Sequence, residues 1–219
     1  MLLRKPSRKD YEKLYEMVVD PTILQYVRNK PTSLEHYLAI MDDFILLEQK
    51  GECLSRTIIV DNEPVGTITL FDMRNKEGFL ATWLGVEHQG KGYNQLAKEL
   101  FFQECYMVHD IDKIYMKIRK ENIKSQRAAQ KISYIQHACP GIFPSIYHMV
   151  NGEGDMFEVF FVNKDLFMDM MQTEKEEHFL GTIQYLLEHS LIEDIEYLLN
   201  KFNFSTKSID FFKNYNYNV

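Results

Sequence analysis

The sequence predicts an α/β protein: interleaved strands and helices over residues 1–164, followed by an acidic helical C-terminal extension over residues 165–219. Three observations carry that expectation. Strand-like and helix-spaced apolar patterns take turns along the first three quarters of the chain, the pattern of a sheet covered by helices. Between Leu84 and Asn94 a strand pattern runs into Gly90-Lys91-Gly92 and then into an amphipathic helix. Beyond Asp165 only helix-spaced apolar residues recur, and the charge balance shifts.

In chain order, Leu2–Lys5 reads as a short first strand, and Ser7 with Asp10 resembles a capping box opening a helix that reaches Val19 and stops at Pro21. Thr32 with Glu35 marks a second start. That helix runs to Lys50, with Leu38, Met41, Ile45 and Leu46 near one face, and ends at Gly51. Arg56–Val60 and Val65–Phe71 are strands joined by the turn Asp61-Asn62-Glu63-Pro64. A second turn, Arg74–Gly78, leads into the strand Phe79–Val86. After the glycine turn, Leu96, Leu100, Phe101 and Val108 recur at roughly helical spacing. Lys113–Ile118 is the next strand, a helix follows Asn122, and a long loop from Pro140 to Asp155 precedes the last strand, Met156–Val162. In the extension, Phe179, Ile183, Leu186 and Leu187, then Leu191, Ile195, Leu198, Leu199 and Phe202, mark two amphipathic helices, with Ser205–Tyr215 a third. Their apolar faces need a covering surface: the domain itself, a second copy in a homodimer, or a protein partner.

Composition bounds the function. Hydrophobic residues make up 45% and aromatic residues 13% of the chain, which argues for a packed globular protein over a disordered one. No apolar run approaches the ~18 residues of a membrane span, and Met1–Pro6 has no apolar signal core, so the expectation is a cytoplasmic protein without a membrane partner. Cys53, Cys105 and Cys139 are too widely spaced for a disulfide framework or a zinc site, so no metal is expected. From Asp165 onward ten acidic residues face four lysines, which accounts for most of the net charge of −7 and leaves residues 1–164 near neutral. That balance gives no global field toward a cationic acceptor. It speaks against a large nucleic-acid footprint while leaving a tRNA acceptor open.

The glycine turn has its own chemistry. The first amides of a helix have no intrahelical partner and the helix dipole adds partial positive charge, so an anion placed there satisfies both. Gly90 and Gly92 permit positive φ and keep side chains away from such a ligand, and Lys91 adds a cation. A strand-to-helix turn that uses glycine for geometry alone has the same sequence, so context decides.

That context lies about thirty residues downstream. Gln89-Gly90-Lys91-Gly92-Tyr93-Asn94 resembles the acetyl-CoA pyrophosphate loop of the GNAT (Gcn5-related N-acetyltransferase) superfamily. Asn122-x-x-Ser125-Gln126-Arg127 resembles its next motif, where the central sheet splays. Leu2-Leu3-Arg4-Lys5-Pro6 with Asp10-Tyr11, and Thr82-Trp83-Leu84-Gly85, resemble the branch that includes ribosomal-protein N-terminal acetyltransferases. The resemblance covers residues 1–164.

It implies a mixed, mostly antiparallel central sheet with helices on both faces, acetyl-CoA as donor, and direct attack by an amine: a protein N-terminus, a polyamine, an aminoglycoside-like molecule or an aminoacyl-tRNA. Backbone groups from Leu84 to Val86 would pair with the pantetheine arm, and amides of Gln89, Gly90, Lys91, Gly92, Tyr93 and Asn94 would hold the pyrophosphate. Asn122 would contact the pantetheine side and Ser125 would lie where the cofactor thiol passes, with helix capping the alternative use of both. Lys91 and Arg127 would touch phosphates or remain solvated. Ser125 would protonate the leaving thiolate. Glu87 and His88 are the nearest candidates for deprotonating the amine, against a plain solvated loop pair. Many members place a Tyr general acid where this chain has Ala129. Ser133 and Asn94 are further departures, standing where Gly, and Gly or Ala, are usual. Ala129 keeps open an acyl-CoA-binding sensor or interaction module, acting through the tail. Tyr147 and His148, in the long loop, are acceptor-side candidates by position alone.

Overall fold

The computed structural model describes residues 1–152 and 154–172, so the helices expected between Phe179 and Tyr215 lie outside the described residues. The chain divides into two compact units, Met1–Phe167 and Met168–Val219, and the first carries every element discussed below.

Seven strands form one sheet in the order β1-β2-β3-β4-β5-β7-β6. They are β1 (Leu2–Arg4), β2 (Leu54–Val60), β3 (Glu63–Arg74), β4 (Glu77–Leu84), β5 (Lys113–Arg119), β6 (Gln136–His137) and β7 (Phe157–Asn163). The helices are α1 (Arg8–Val18), α2 (Pro21–Leu24), α3 (Leu34–Gln49), α4 (Tyr93–Met107), α5 (Ile123–Gln130) and α6 (Pro144–Asn151). Every strand pair is antiparallel except β4 with β5, which is parallel. The expected mixed, mostly antiparallel sheet is what the chain forms.

Local chemistry explains where boundaries moved. The turns read as four and five residues are two-residue turns: Asp61 and Asn62 have φ of 50° and 67°, and Asn75 and Lys76 have 51° and 63°. Two consecutive left-handed residues match the twist of a hairpin, so the strands extend up to them. The capping box at α1 does not form. Arg4 Nη2 donates to Asp10 Oδ2 at 2.5 Å, and the Ser7 side chain makes no cap bond. Pro21 ends no more than the approach to a helix. It opens α2 at the first helical position, with the Asp20 carboxylate accepting from Thr22 N at 2.8 Å. The cap of α3 is Ser33, which accepts from His36 N at 3.1 Å, while Thr32 contacts the His36 ring.

The loop expected from Pro140 to Asp155 contains α6, whose Tyr147, Ile146 and Val150 pack with Phe79, Tyr115, Val159 and Phe161. Tyr147 is therefore a largely buried residue whose hydroxyl donates to Asp155.

Two packing layers follow from strand alternation. Phe79, Ala81 and Trp83 of β4 share one face. Trp83 packs on the cluster of Tyr11, Leu14, Met17, Val18, Tyr37 and Met41 from α1 and α3, while Phe79 meets α6. α4 covers the opposite face. Its Glu104 binds Arg56 of β2, its Tyr106 hydroxyl donates to Val162 O at 3.0 Å, and Phe102 meets Tyr134 and Phe167 edge-on.

Lys98, on α4, is 7% exposed and belongs to no ion pair among the described residues. Burial lowers its pKa from 10.5 to about 8. The unfolded chain binds more protons between those values, so stability is expected to rise with pH from about 8 to 10.5, and the full cost, about 3 kcal/mol, applies below 8. Lys98→Met is expected to recover up to about 3 kcal/mol at pH 7 and to flatten that rise, as read by urea unfolding at pH 7, 8 and 10.

Candidate active site

Parallel pairing of β4 with β5 covers only Glu77–Phe79 against Lys113–Tyr115. Beyond it each strand keeps only its outer partner: β4 follows β3 to the Gly66–Leu84 pair, and β5 follows β7 to the Arg119–Phe157 pair. The sheet thus opens into a fork between the second halves of β4 and β5. The edges of that fork carry backbone groups that an extended ligand arm can pair with, as an added strand does.

The mouth of the fork is built by the glycine turn. The expected strand to Val86 is corrected here. β4 ends at Leu84, and Val86–His88 form a 3-10 turn in which the Val86 carbonyl accepts from Gln89 N at 3.2 Å. Gly85 explains the early stop. Its N–H donates to Val65 O at 2.9 Å, and a Cβ on it would sit 2.5 Å from the Met17 sulfur of α1. Gly90 and Gly92 have φ of 78° and 81°, and a Cβ on either would meet nothing within 4 Å. Gly92 is the N-cap of α4 and makes no side-chain cap, so among the described residues the amides of Gly90 through Gln95 donate to no protein acceptor. Such partnerless amides at a helix start are the geometry that an anion-binding turn requires.

Tyr93 and Asn94 fill the first turn of α4. Asn94 Oδ1 and Thr82 Oγ1 are buried without a hydrogen-bond partner. Thr82 lies on the α4 face of β4 by alternation. Buried polar atoms left without partners carry a cost of about 1–3 kcal/mol each, which a bound polar ligand relieves. Sequence reading missed Thr82, and only its even register with Leu84 on the α4 side of the strand pointed to it.

Gln89 acts as a brace. Its Nε2 donates to Leu84 O at 3.0 Å and its Oε1 accepts from Lys124 Nζ at 2.6 Å, tying the end of β4 to α5 across the fork. Asn122 caps α5, its Oδ1 accepting from Ser125 N at 3.2 Å, which leaves its amide nitrogen free for other partners. Ser125 is half-buried one turn into α5, and Arg127 and Lys91 are exposed. Ala129, on the same helix, is fully buried.

Glu87 lies on the other side of the turn. Its side chain is 62% exposed, 3.3 Å from His88 Nε2. It borders an open groove of about 280 Å³ whose other walls are Lys13, Glu16, Met17, Asp20 and Val86. Sequence reading missed Glu16 and Asp20, which α1 and the start of α2 bring beside the turn. Hydrogen bonds from the Thr22 hydroxyl and amide hold the Asp20 carboxyl below its usual range. Among the described residues no group of three or more His, Cys, Asp or Glu could hold a metal ion, and no helix is long and apolar enough to cross a membrane.

A forked mixed sheet with a glycine turn of partnerless amides at its mouth is the architecture of the acetyltransferase fold class. Residues 1–134 match the family profile described as acetyltransferase (GNAT) domain, and the chain belongs to that family of N-acetyltransferases. Among solved structures, the acetyltransferase that modifies the N-terminal serine of ribosomal protein L7/L12 in Salmonella typhimurium superposes with a TM-score of 0.60 at 21% identity, covering 73% of this chain and 91% of that one. A spermidine N-acetyltransferase chimera from Vibrio cholerae and hSSAT gives 0.58 at 14%, covering 76% and 97%. The microcin C7 self-immunity acetyltransferase MccE, in complex with acetyl-CoA and AMP, gives 0.59 at 18%, covering 74% and 91%. No curated protein sequence matches the chain. These neighbours share the fold while differing in what their names say they act on, so the fold names no acceptor.

Proposed function

We propose that the protein transfers the acetyl group of acetyl-CoA to a primary amine by direct attack, with both substrates held in the fork at once. The observation that carries this reading is the open β4–β5 edge ending at the partnerless amides of Gly90–Gln95. Bound acetyl-CoA supplies an activated thioester, so the chain has no covalent chemistry of its own to perform.

What the residues contribute is position and protons. The amides from Gly90 to Gln95, with Lys91 and Arg127 nearby, would hold the diphosphate. The free edge of β4 before Leu84, whose carbonyl already accepts from Gln89 Nε2, the Asn122 amide and the orphaned Asn94 and Thr82 oxygens would hold the arm. Pairing at Val86 is not part of this reading, because its carbonyl is already taken. Holding donor and acceptor together supplies most of the rate. Glu87, at the groove beside α1, would take the proton of the incoming ammonium, and the Ser125 hydroxyl would return one to the leaving sulfur.

One observation favours a second reading, an acyl-CoA-binding module without turnover: buried Ala129 stands where many relatives carry a Tyr general acid. Release of CoA thiol with a panel of amines separates the two. The acetyltransferase reading expects release that falls about 10²-fold or more in kcat with Glu87→Gln or Ser125→Ala, at unchanged acetyl-CoA affinity. Acetyl-CoA binding without release on any amine would establish the module instead.

A further inference from the structure

Several cations on the β4–β5 side of the sheet and on α1 are already neutralised. Lys113 pairs with Glu77, Lys120 with Asp155 and Lys13 with Glu63, and Arg28 binds Asp72 through two nitrogens. Two are different. Lys117 belongs to no ion pair among the described residues, and Arg119 has only Glu121 at 3.7 Å, a contact exposed on both sides and worth little.

Both sit on the splayed half of β5 and, by alternation, on the face opposite α4, with Trp83, Ala81 and Phe79 across the gap. Lys117 Nζ lies 5.3 Å from the Phe79 ring centroid and 5.7 Å from that of Phe157, and Arg119 Cζ lies 6.0 Å from Phe157. The rings hold the cations by their faces while leaving the N–H groups unspent. Two residues apart on a strand, the side chains leave the backbone about 7 Å apart, a separation that one multi-oxygen anion bridges. Asp72 of β3 is an acidic group within electrostatic reach of Lys117, and its carboxylate is engaged by Arg28 through two nitrogens, whose hydrogen bonds hold it below its usual range.

We propose that Lys117 and Arg119 form the acceptor-side anion subsite, so that the amine substrate carries a phosphate or carboxylate close to its reacting nitrogen. The proposal rests on the acetyltransferase reading above: donor groups are built on the α4 face, which leaves the opposite face of the fork for the acceptor. A polyamine would meet like charge there, and a specificity site works as much by that rejection as by attraction.

The test uses the full chain and acceptors that share an aminoethyl group: phosphoethanolamine, β-alanine and ethanolamine, with spermidine as the polycation. Expected is a kcat/KM about tenfold or more higher for an anionic member than for ethanolamine, with spermidine lowest, the size of one charge-assisted hydrogen bond. Whether phosphoethanolamine or β-alanine leads identifies phosphate or carboxylate as the anion. The Lys117→Gln, Arg119→Gln double variant should erase that preference through KM of the anionic acceptor while the Kd of acetyl-CoA stays as in the parent. Lys117→Glu should move preference toward spermidine. Equal kcat/KM for ethanolamine and both anions overturns the subsite alone, as does a double variant whose only loss is acetyl-CoA affinity. Absence of turnover with every amine overturns the acetyltransferase reading and the subsite with it. Both side chains are exposed, and thermal unfolding checks that the variants remain folded.

Discussion

Gly92→Val is expected to weaken acetyl-CoA binding by about 10- to 100-fold, because one amide bond to a charged diphosphate is worth about 1.5–3 kcal/mol. Gly92 has φ of 81° as the N-cap of α4, a conformation that costs a β-branched residue about 1–2 kcal/mol or more. A Cβ there would meet nothing within 4 Å, so the penalty is backbone strain and is relieved by moving the turn. Moving the turn misdirects the amides of Tyr93, Asn94 and Gln95. Isothermal titration with acetyl-CoA reads the loss, and a melting temperature within a few degrees of the parent shows that the sheet is intact.

The largest stability effect is expected at Arg56. Its side chain is 5% exposed and donates to Glu104 of α4 at 2.9 and 2.5 Å and to Glu48 of α3 at 3.0 Å, joining helices of both layers to β2. Burial alone would lower its pKa, but the hydrogen bonds to Glu104 and Glu48 outweigh that and raise it. Arg56→Ala leaves two carboxylates, 19% and 25% exposed, without their buried cation and with only the long contacts from exposed Lys5 to Glu48 at 3.7 Å and from His109 to Glu104 at 3.6 Å. The expected cost is about 3–5 kcal/mol, or about 10 °C in melting temperature. Because the cost comes from the stranded charges, Arg56→Met combined with Glu48→Gln and Glu104→Gln should restore most of it. A triple variant as unstable as Arg56→Ala would place the effect in packing.

What the sequence made legible was local. The glycine turn, the Asn122 cap and the strands around them follow from backbone chemistry that a few adjacent residues decide. Asp10 shows where local reading fails: next to Ser7 it looks like a capping residue, but Arg4, on the strand before, takes its carboxylate. Pro21 has two local uses, stopping one helix and opening another, and Asp20 selects the second. Tyr147 looked like a loop residue between Gly and Pro positions, yet the apolar faces of β5 and β7 recruit α6 onto the sheet. The fork is a register property of two strands far apart in sequence, and so are the orphaned oxygens of Thr82 and Asn94. No pattern within either strand announces that pairing ends after Phe79 and Tyr115. The aromatic and basic row of Phe79, Lys117, Arg119 and Phe157 was invisible for the same reason: it is drawn from three strands.

The central claim is that the amides opening α4 are an occupied anion cradle in the working protein. Amide hydrogen exchange at Gly90 through Gln95, measured with and without acetyl-CoA, tests it most directly. These amides lack protein acceptors among the described residues, so they should exchange fast in the free protein and be slowed about 10-fold or more when a diphosphate accepts from them. Protection by acetyl-CoA elsewhere in the chain, with exchange at Gly90–Gln95 unchanged, would contradict the account.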